Sequence, residues 1–383
     1  MPGLRAAELC RPAAYGKAIT RYGFDRAGRG IPVHMRVVVV GATGNVGTST
    51  VSALAADPEV TSIVGLARRI PDWSPDKTTW RSVDVSTGDL DTHLAGADAV
   101  VHLAWLFQPT RDPVTTWRSN VLGSIRVFEA AARQEVPALV YSSSVGAYSP
   151  GPKNRPVGED WPTNGWPGAA YGREKAYVER VLDTFERDHP GTRVVRMRPG
   201  FVFKREAATE QRRLFGGPFI PQRLVRPGLI PFVPDNPGLR FQAVHGEDAG
   251  EAFRLAVTRP VSGAFNLAAE PVVEPSTLAE LLGARLLPVP DWVLRGTAAA
   301  AWYARLIPAS PALVDMVLKM PVMDVTRART ELGWQPRHTA VDALRELFEG
   351  LRGVEGMATP PLSTETGGPA RTGELSTGVG KRP

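Results

Sequence analysis

Cysteine is almost absent from this chain: Cys10 stands alone among 383 residues. It has no partner for an internal disulfide, and a Cys-rich metal site is excluded. No metal site is predicted. No apolar run reaches the ~18 residues of a membrane span. The nearest, Gly296 to Ala304, is short and sits between Arg295 and Arg305. The N-terminus lacks a continuous apolar stretch, so no signal peptide is readable. These absences predict a cytoplasmic protein with no membrane partner. With 43% hydrophobic and 22% charged residues, wholesale disorder, collagen-like repeats and a long coiled coil are excluded.

A strong excess of one charge is also missing from the body of the chain. The formal charge is +6, but Arg5, Arg11, Lys17, Arg21, Arg26 and Arg29 stand in residues 1–34 against Glu8 and Asp25. The stretch from 353 is balanced, so little positive charge is left for the body. Nucleic acid is not a predicted partner.

Residues 1–34 show no apolar period and read as a flexible extension. Met35, which heads the run Met35-Arg-Val-Val-Val-Val-Gly41, reads as the natural start. Residues 353–383 are dominated by Gly, Pro, Ser and Thr and predict a disordered tail. Neither end is expected to carry chemistry. Between them, strands and helices alternate. Val37–Gly41, Ser62–Ala67, Trp80–Val85, Ala99–Ala104, Leu139–Ser143 and Thr192–Arg198 read as strands. Val46–Ala56, Asp112–Arg133 and Tyr171–Asp188 read as helices. Apolar strands alternating with helices predict an α/β fold of Rossmann type, a doubly wound parallel sheet covered on both faces. Residues 35–200 form the predicted dinucleotide-binding domain. After Gly200 the regularity fades, and 201–352 predicts a smaller substrate-binding region with elements returning to the Rossmann part.

The first strand runs into Gly41-Ala-Thr-Gly44-Asn45-Val46-Gly47. Glycine lets backbone approach a pyrophosphate, and the helix that follows offers unpaired N–H groups to the phosphates. A dinucleotide site usually shows an acid at the end of the second strand, for the ribose 2′-OH. Here Ala67 is followed by Arg68 and Arg69. Paired guanidiniums suit a 2′-phosphate, so NADP(H) is favoured over NAD(H).

Tyr171-Gly-Arg-Glu-Lys175 opens a helix, and positions i and i+4 share a face. An ammonium near a phenol favours the phenolate, so Lys175 is expected to lower the Tyr171 pKa for proton exchange. Upstream, Ser142-Ser143-Ser144 ends a predicted strand, and a serine there can bond the same substrate oxygen.

With these motifs the sequence resembles the extended short-chain dehydrogenase/reductase family, the NAD(P)-dependent epimerase/dehydratase group. Asp84, His102-Leu-Ala104, Asn120-Val-Leu-Gly123, Arg198-Pro-Gly200, Val244-His245 with Asp248, Phe265-Asn-Leu267 and Leu332-Gly-Trp334 continue the resemblance in order from ~35 to ~350. The resemblance implies roles residue by residue. Gly41, Gly44, Asn45, Val46 and Gly47 shape the pyrophosphate loop. Asp84, with Val85 beside it, meets the adenine. Leu103 and Ala104, then Pro199 and Gly200, line the nicotinamide side. Ser144 orients the substrate carbonyl, Tyr171 is the acid/base, and Lys175 also holds the ribose. Asn120 looks structural, pinning the strand next to it, with a cofactor role open. His102 reads as a scaffold histidine. Relatives pair two helices like those over 112–133 and 171–188 in a four-helix contact, which implies a homodimer.

The sequence departs from the family in places. Val145-Gly146 stand where the sugar dehydratases carry an Asp-Glu pair. Phe201 replaces an asparagine common in the sugar epimerases, and Arg240 is displaced by one position from their diphosphate-binding arginine. Trp105 replaces a small residue and narrows that wall. The leading expectation is hydride transfer between nicotinamide and a small-molecule carbonyl or alcohol. A nucleotide-sugar epimerase with retained cofactor is the alternative, and a non-catalytic dinucleotide sensor comes third. The basic run Lys204, Arg205, Arg212, Arg213, Arg223 and Arg226 reads either as a greeting for an anion or as a solvated loop.

Overall fold

Four valines in a row, Val37 to Val40, have no polar face to show water, and all four are buried to within 1%. They form β1 (Met35–Val40) at the centre of a seven-stranded sheet. The others are β2 (Val60–Ala67), β3 (Thr78–Ser82), β4 (Ala99–His102), β5 (Ala138–Ser142), β6 (Arg193–Pro199) and β7 (Gly263–Leu267). Their order is β7-β6-β5-β4-β1-β2-β3, and every pairing is parallel. The α/β Rossmann-type expectation is met. The computed structural model describes residues 34–108, 110–221, 224–368 and 372–381. The extension expected over 1–34 lies outside the described residues, apart from His34.

Apolar side chains cover both faces of the sheet. One core packs α1 (Asn45–Ala56) and α4 (Gly246–Thr258) against it, through Val51, Leu54, Phe253 and Trp334. The other packs α2 (Gly123–Arg133) and α3 (Ala170–Asp188), through Val127, Phe128, Val178 and Leu182. The chain reverses its winding between β1 and β4, which opens a crevice at their C-terminal ends.

The elements end where local chemistry stops them. β3 stops at Ser82 rather than Val85, because Asp84 turns the chain by accepting from Ser86 N at 2.8 Å. The long helix expected over 112–133 is three pieces. Pro113–Trp117 is capped by Asp112, whose Oδ1 accepts from Thr115 N at 3.1 Å, and a π-helical turn, Arg118–Leu122, leads into α2.

After Gly200 the described residues make small two-stranded sheets, Phe201–Phe203 with Ala243–His245, Phe232–Asp235 with Arg285–Pro288, and Val322–Met323 with Pro156–Val157. It also returns β7 to the central sheet. The segment expected to be a disordered tail is instead packed on the body where it is described. Leu362 and Thr359 are buried, and a short helix, Thr372–Ser376, brings buried Glu374 onto Arg212. The composition reading counted its polar residues and missed these few anchors. Among the described residues no helix is long and apolar enough to cross a membrane.

Candidate active site

The turn after β1 is dictated by close approach. Gly41 has φ +86, and a Cβ there would lie 2.5 Å from Ala104 N. A Cβ on Gly47 would lie 2.3 Å from Gly41 O. Gly44 differs: its Cβ would meet nothing nearer than Gly41 O at 3.8 Å, yet it caps α1 at the mouth of the crevice. The protein's own packing does not require glycine there, whereas a phosphate approaching the free N–H groups of α1 does. Beside it, Asn45 donates Nδ2 to Val202 O at 2.8 Å, and its buried Oδ1 has no partner among the described residues. These residues fit a dinucleotide. Val46 packs into the core instead of facing the crevice.

The crevice holds a cavity of about 180 Å³. Gly41, Gly44, Arg68, Arg69, Asp84, Val85, Leu103 and Ala104 line it. Burial lowers the Arg68 pKa, and the facing Asp84 carboxylate opposes that shift. Burial pushes Asp84 up, but its bonds from Ser86 and the charges of Arg68 and Arg126 hold it below its ordinary value.

A second, smaller cavity lies beside Tyr171 and is lined also by Glu174, Ala169 and Leu313. Trp105, Leu106 and Phe107 line both cavities and so form the wall between them. The Tyr171 ring meets Trp105 edge-on at 5.9 Å and Phe107 at 4.9 Å. Burial pushes the Tyr171 phenol up to about 12, and its hydrogen bond with Ser144 pulls the other way. Lys175 is not among the groups that set this shift. The Lys175 ammonium points elsewhere: it donates to Ser142 O at 2.6 Å and rests 3.5 Å from the Trp105 ring centroid. Burial takes the Lys175 pKa well down, against the pull of Glu179 and Glu174. The site thus presents a neutral phenol, suited to giving a proton to a developing alkoxide.

The remaining expected residues stand at the periphery. Asn120 Oδ1 accepts from Leu106 N at 2.6 Å, and its Nδ2 donates to Leu106 O and to Glu174. All its polar atoms serve to pin the dividing wall. Pro199 and Gly200 end β6 and its turn and line neither cavity. His102 is buried, pairs with Ser124 at 2.8 Å, and is held neutral by burial and then Lys175, with its pKa taken to about 3. Away from the crevice, His245, Glu247 and His338 bring ligand-type atoms within 4.8 Å of one another. Both ring nitrogens of His245 already meet Glu247 N and Glu346, and His338 Nδ1 meets Asp248.

Several cleft residues were not foreseen from sequence. Glu210, Leu214, Pro360, Pro361 and Thr366 line the large cavity with Arg68 and Arg69, and Arg213 of the basic run joins them. The basic run was the available signal, but the solvated-loop reading of it fails for Lys204, Arg212 and Arg213, which are buried. Lys204 Nζ bonds Thr48 and Ser49 on α1, Arg205 pairs with Glu349, and Arg240 pairs with Glu274. Arg223 lies outside the described residues. Glu210 is pushed up to about 7 by burial, against the charges of Arg213 and Lys204.

The chain is similar to several known proteins. An uncharacterized protein of Mycobacterium tuberculosis is 25% identical over 332 residues, 86% of this chain, and the chain spans only 31% of that protein's length. L-arabinose 1-dehydrogenase (NAD(P)(+)) of Haloferax volcanii is 30% identical over 191 residues, covering 46% of this chain and 70% of the dehydrogenase. The UDP-glucose 4-epimerase of Thermus thermophilus, solved with NAD, shares the fold at a TM-score of 0.62. It is 22% identical, with 83% of this chain and 99% of that one covered. The family model for NAD dependent epimerase/dehydratase matches residues 37–268. Spanning the sheet, the glycine loop and the Tyr171 helix together, that match shows that the chain belongs to the NAD dependent epimerase/dehydratase family.

Proposed function

We propose that the protein is an NADP(H)-dependent reductase or dehydrogenase acting on a small carbonyl/alcohol pair. The observation that carries this reading is the Tyr171 phenol, hydrogen-bonded with Ser144 and packed against Trp105 and Phe107. Among the residues lining its cavity the one acid is Glu174, and that carboxylate is already bonded to Thr116 and Asn120. No free carboxylate stands there to abstract a carbon-bound proton.

The bound nicotinamide supplies or accepts the hydride. Ser144 holds the substrate oxygen, and Tyr171 gives it a proton in the reducing direction. Lys175 has one donor on Ser142 O and others left for the cofactor ribose. Gly41, Gly44, Asn45 and Gly47 hold the pyrophosphate, Asp84 and Val85 the adenine, and Leu103 and Ala104 the nicotinamide side. Arg68 and Arg69, with no acid at the end of β2, favour NADP(H) over NAD(H). The 30% identity to an NAD(P)-dependent dehydrogenase supports hydride chemistry. Exposed Val114, Leu122 and Tyr177 on the two helices expected at a dimer contact support a homodimer.

The test is net NADPH oxidation over a panel of carbonyl compounds. Stoichiometric oxidation with at least one compound is expected. Interconversion of nucleotide sugars without net oxidation would replace this reading with the epimerase.

A further inference from the structure

The cavity that Arg68 and Arg69 line has a second basic contributor, from the run after Gly200. Arg213 belongs to a π-helical turn, Arg212–Gly216, and lines the same cavity. Its Nη2 donates to Pro361 O at 2.7 Å, which fixes the guanidinium and leaves its other donors free for a ligand. Its own carbonyl accepts from Gln108 Nε2 at 3.1 Å. The turn is fastened next door, where Arg212 forms a bidentate pair with Glu374 at 2.7 and 2.6 Å. Both members of that pair are buried.

This arrangement brings like charges together. Burial depresses the Arg213 pKa, Glu210 and Glu374 oppose that, and Arg212 and Arg69 add to it. Arg69 is therefore close enough for its charge to be felt by Arg213 across the cavity. Asp84, the acid on the Arg68 side, is engaged with Ser86. Glu210, the acid on the other side, is pushed up to about 7 and so is largely uncharged in mild acid. Two guanidiniums sharing a partly enclosed cavity call for an anion between them.

Resting on the NADP(H) reading above, we propose that Arg213 and Arg69 together form the subsite for the adenosine 2′-phosphate. Arg213 is a specificity residue delivered by the C-terminal half. The segment holding Pro360, Pro361 and Thr366 is its support, and it closes the cofactor cleft from the side opposite the sheet.

Full-length protein, Arg213→Gln and Arg213→Lys would each be titrated with NADPH, NADH and adenosine 2′,5′-bisphosphate, with binding read by calorimetry. Gln keeps a donor for Pro361 O but removes the charge. Arg213→Gln is expected to weaken NADPH and the bisphosphate by about tenfold or more, the worth of a charge-assisted hydrogen bond, and to leave NADH within about twofold. Arg213→Lys keeps the charge and should retain part of the preference, which guards against a Gln variant that fails to fold. If the parent binds NADPH and NADH equally, the NADP(H) reading falls and this inference falls with it. If the parent prefers NADPH but Arg213→Gln weakens both cofactors alike, or neither, only the Arg213 assignment is overturned.

Discussion

The two sides of the dinucleotide cleft are built in opposite ways. On the sheet side, Gly41, Ala67, Arg68, Asp84, Leu103 and Ala104 follow directly from the ends of adjacent parallel strands. On the far side, Glu210, Arg213, Pro360, Pro361 and Thr366 belong to no strand; Arg213 bonds Pro361 O, Thr366 bonds Pro360 O, and Arg212 next door pairs with Glu374. Strand register fixes the first set to a common depth, since Val40 pairs with both Leu66 and His102. The second set depends on single contacts, each of which one substitution can remove. The sheet side should therefore control chemistry and resist damage, whereas the far side should control selectivity and fail abruptly.

The largest effect is expected on the sheet side. Tyr171→Phe keeps the ring against Trp105 and Phe107 but removes the hydroxyl. It should lower turnover by about 10²–10⁴, the usual range for general acid–base catalysis, with cofactor affinity little changed. Steady-state rates on an accepted carbonyl substrate, beside NADPH titration, would check this; an unaltered rate would sink the proton-donor role.

Next comes the fastening of the far side. Glu374→Gln leaves Arg212 charged and buried, and breaking a buried pair costs about 3–5 kcal/mol. Urea unfolding should show a destabilisation of that order. A change within experimental error would mean that the pair contributes little to holding this segment.

A smaller effect should follow from replacing both Arg68 and Arg69 with Ala. NADPH affinity should fall by roughly 10–100-fold, the range for hydrogen bonds to a charged group, and NADH should hold. Equal losses for the two cofactors would shift the role of these residues from selectivity to general attraction.

The smallest effect concerns pH. Glu210 faces Arg213 and Lys204, and Arg68, Arg69 and Asp84 share its cavity. With its pKa pushed up to about 7, it is neutral below that value and gains a negative charge above it. A negative charge appearing in the cleft disfavours a dinucleotide, which is itself an anion. NADH affinity should therefore decline as pH rises from 6 to 8, by about tenfold at most at an effective dielectric near 20. Glu210→Gln should flatten that decline, and an unchanged slope would exclude Glu210 as its source.

The same contrast explains what was legible in the sequence. The sheet, the glycine loop, the Arg68-Arg69 pair and the Tyr171–Lys175 helix are written in local periodicity and short spacings. The direction of the Lys175 ammonium was not, because Trp105 and Ser142 capture it from outside its own helix. The far side was hidden for a related reason. Leu362, Thr359 and Glu374 are isolated in a Gly- and Pro-rich stretch, and Glu374 is held by Arg212, 162 residues away. Composition averages over such anchors. The basic run around Arg212 was visible, but without its distant carboxylate it read equally as an anion site or as solvent-facing.

The separation of Arg212 from Glu374, 162 residues along the chain, also bears on the order in which the molecule assembles. Closing so long a loop is entropically late work, and non-local pairings trail local ones in folding. The parallel sheet and its helices can condense first, giving an intermediate with the glycine loop in place and the cleft open on one side. Binding that needs Arg213 would then report the last step of folding, while binding through the glycine loop alone would report an earlier one. NADPH and NADH would serve as two clocks for the same refolding chain.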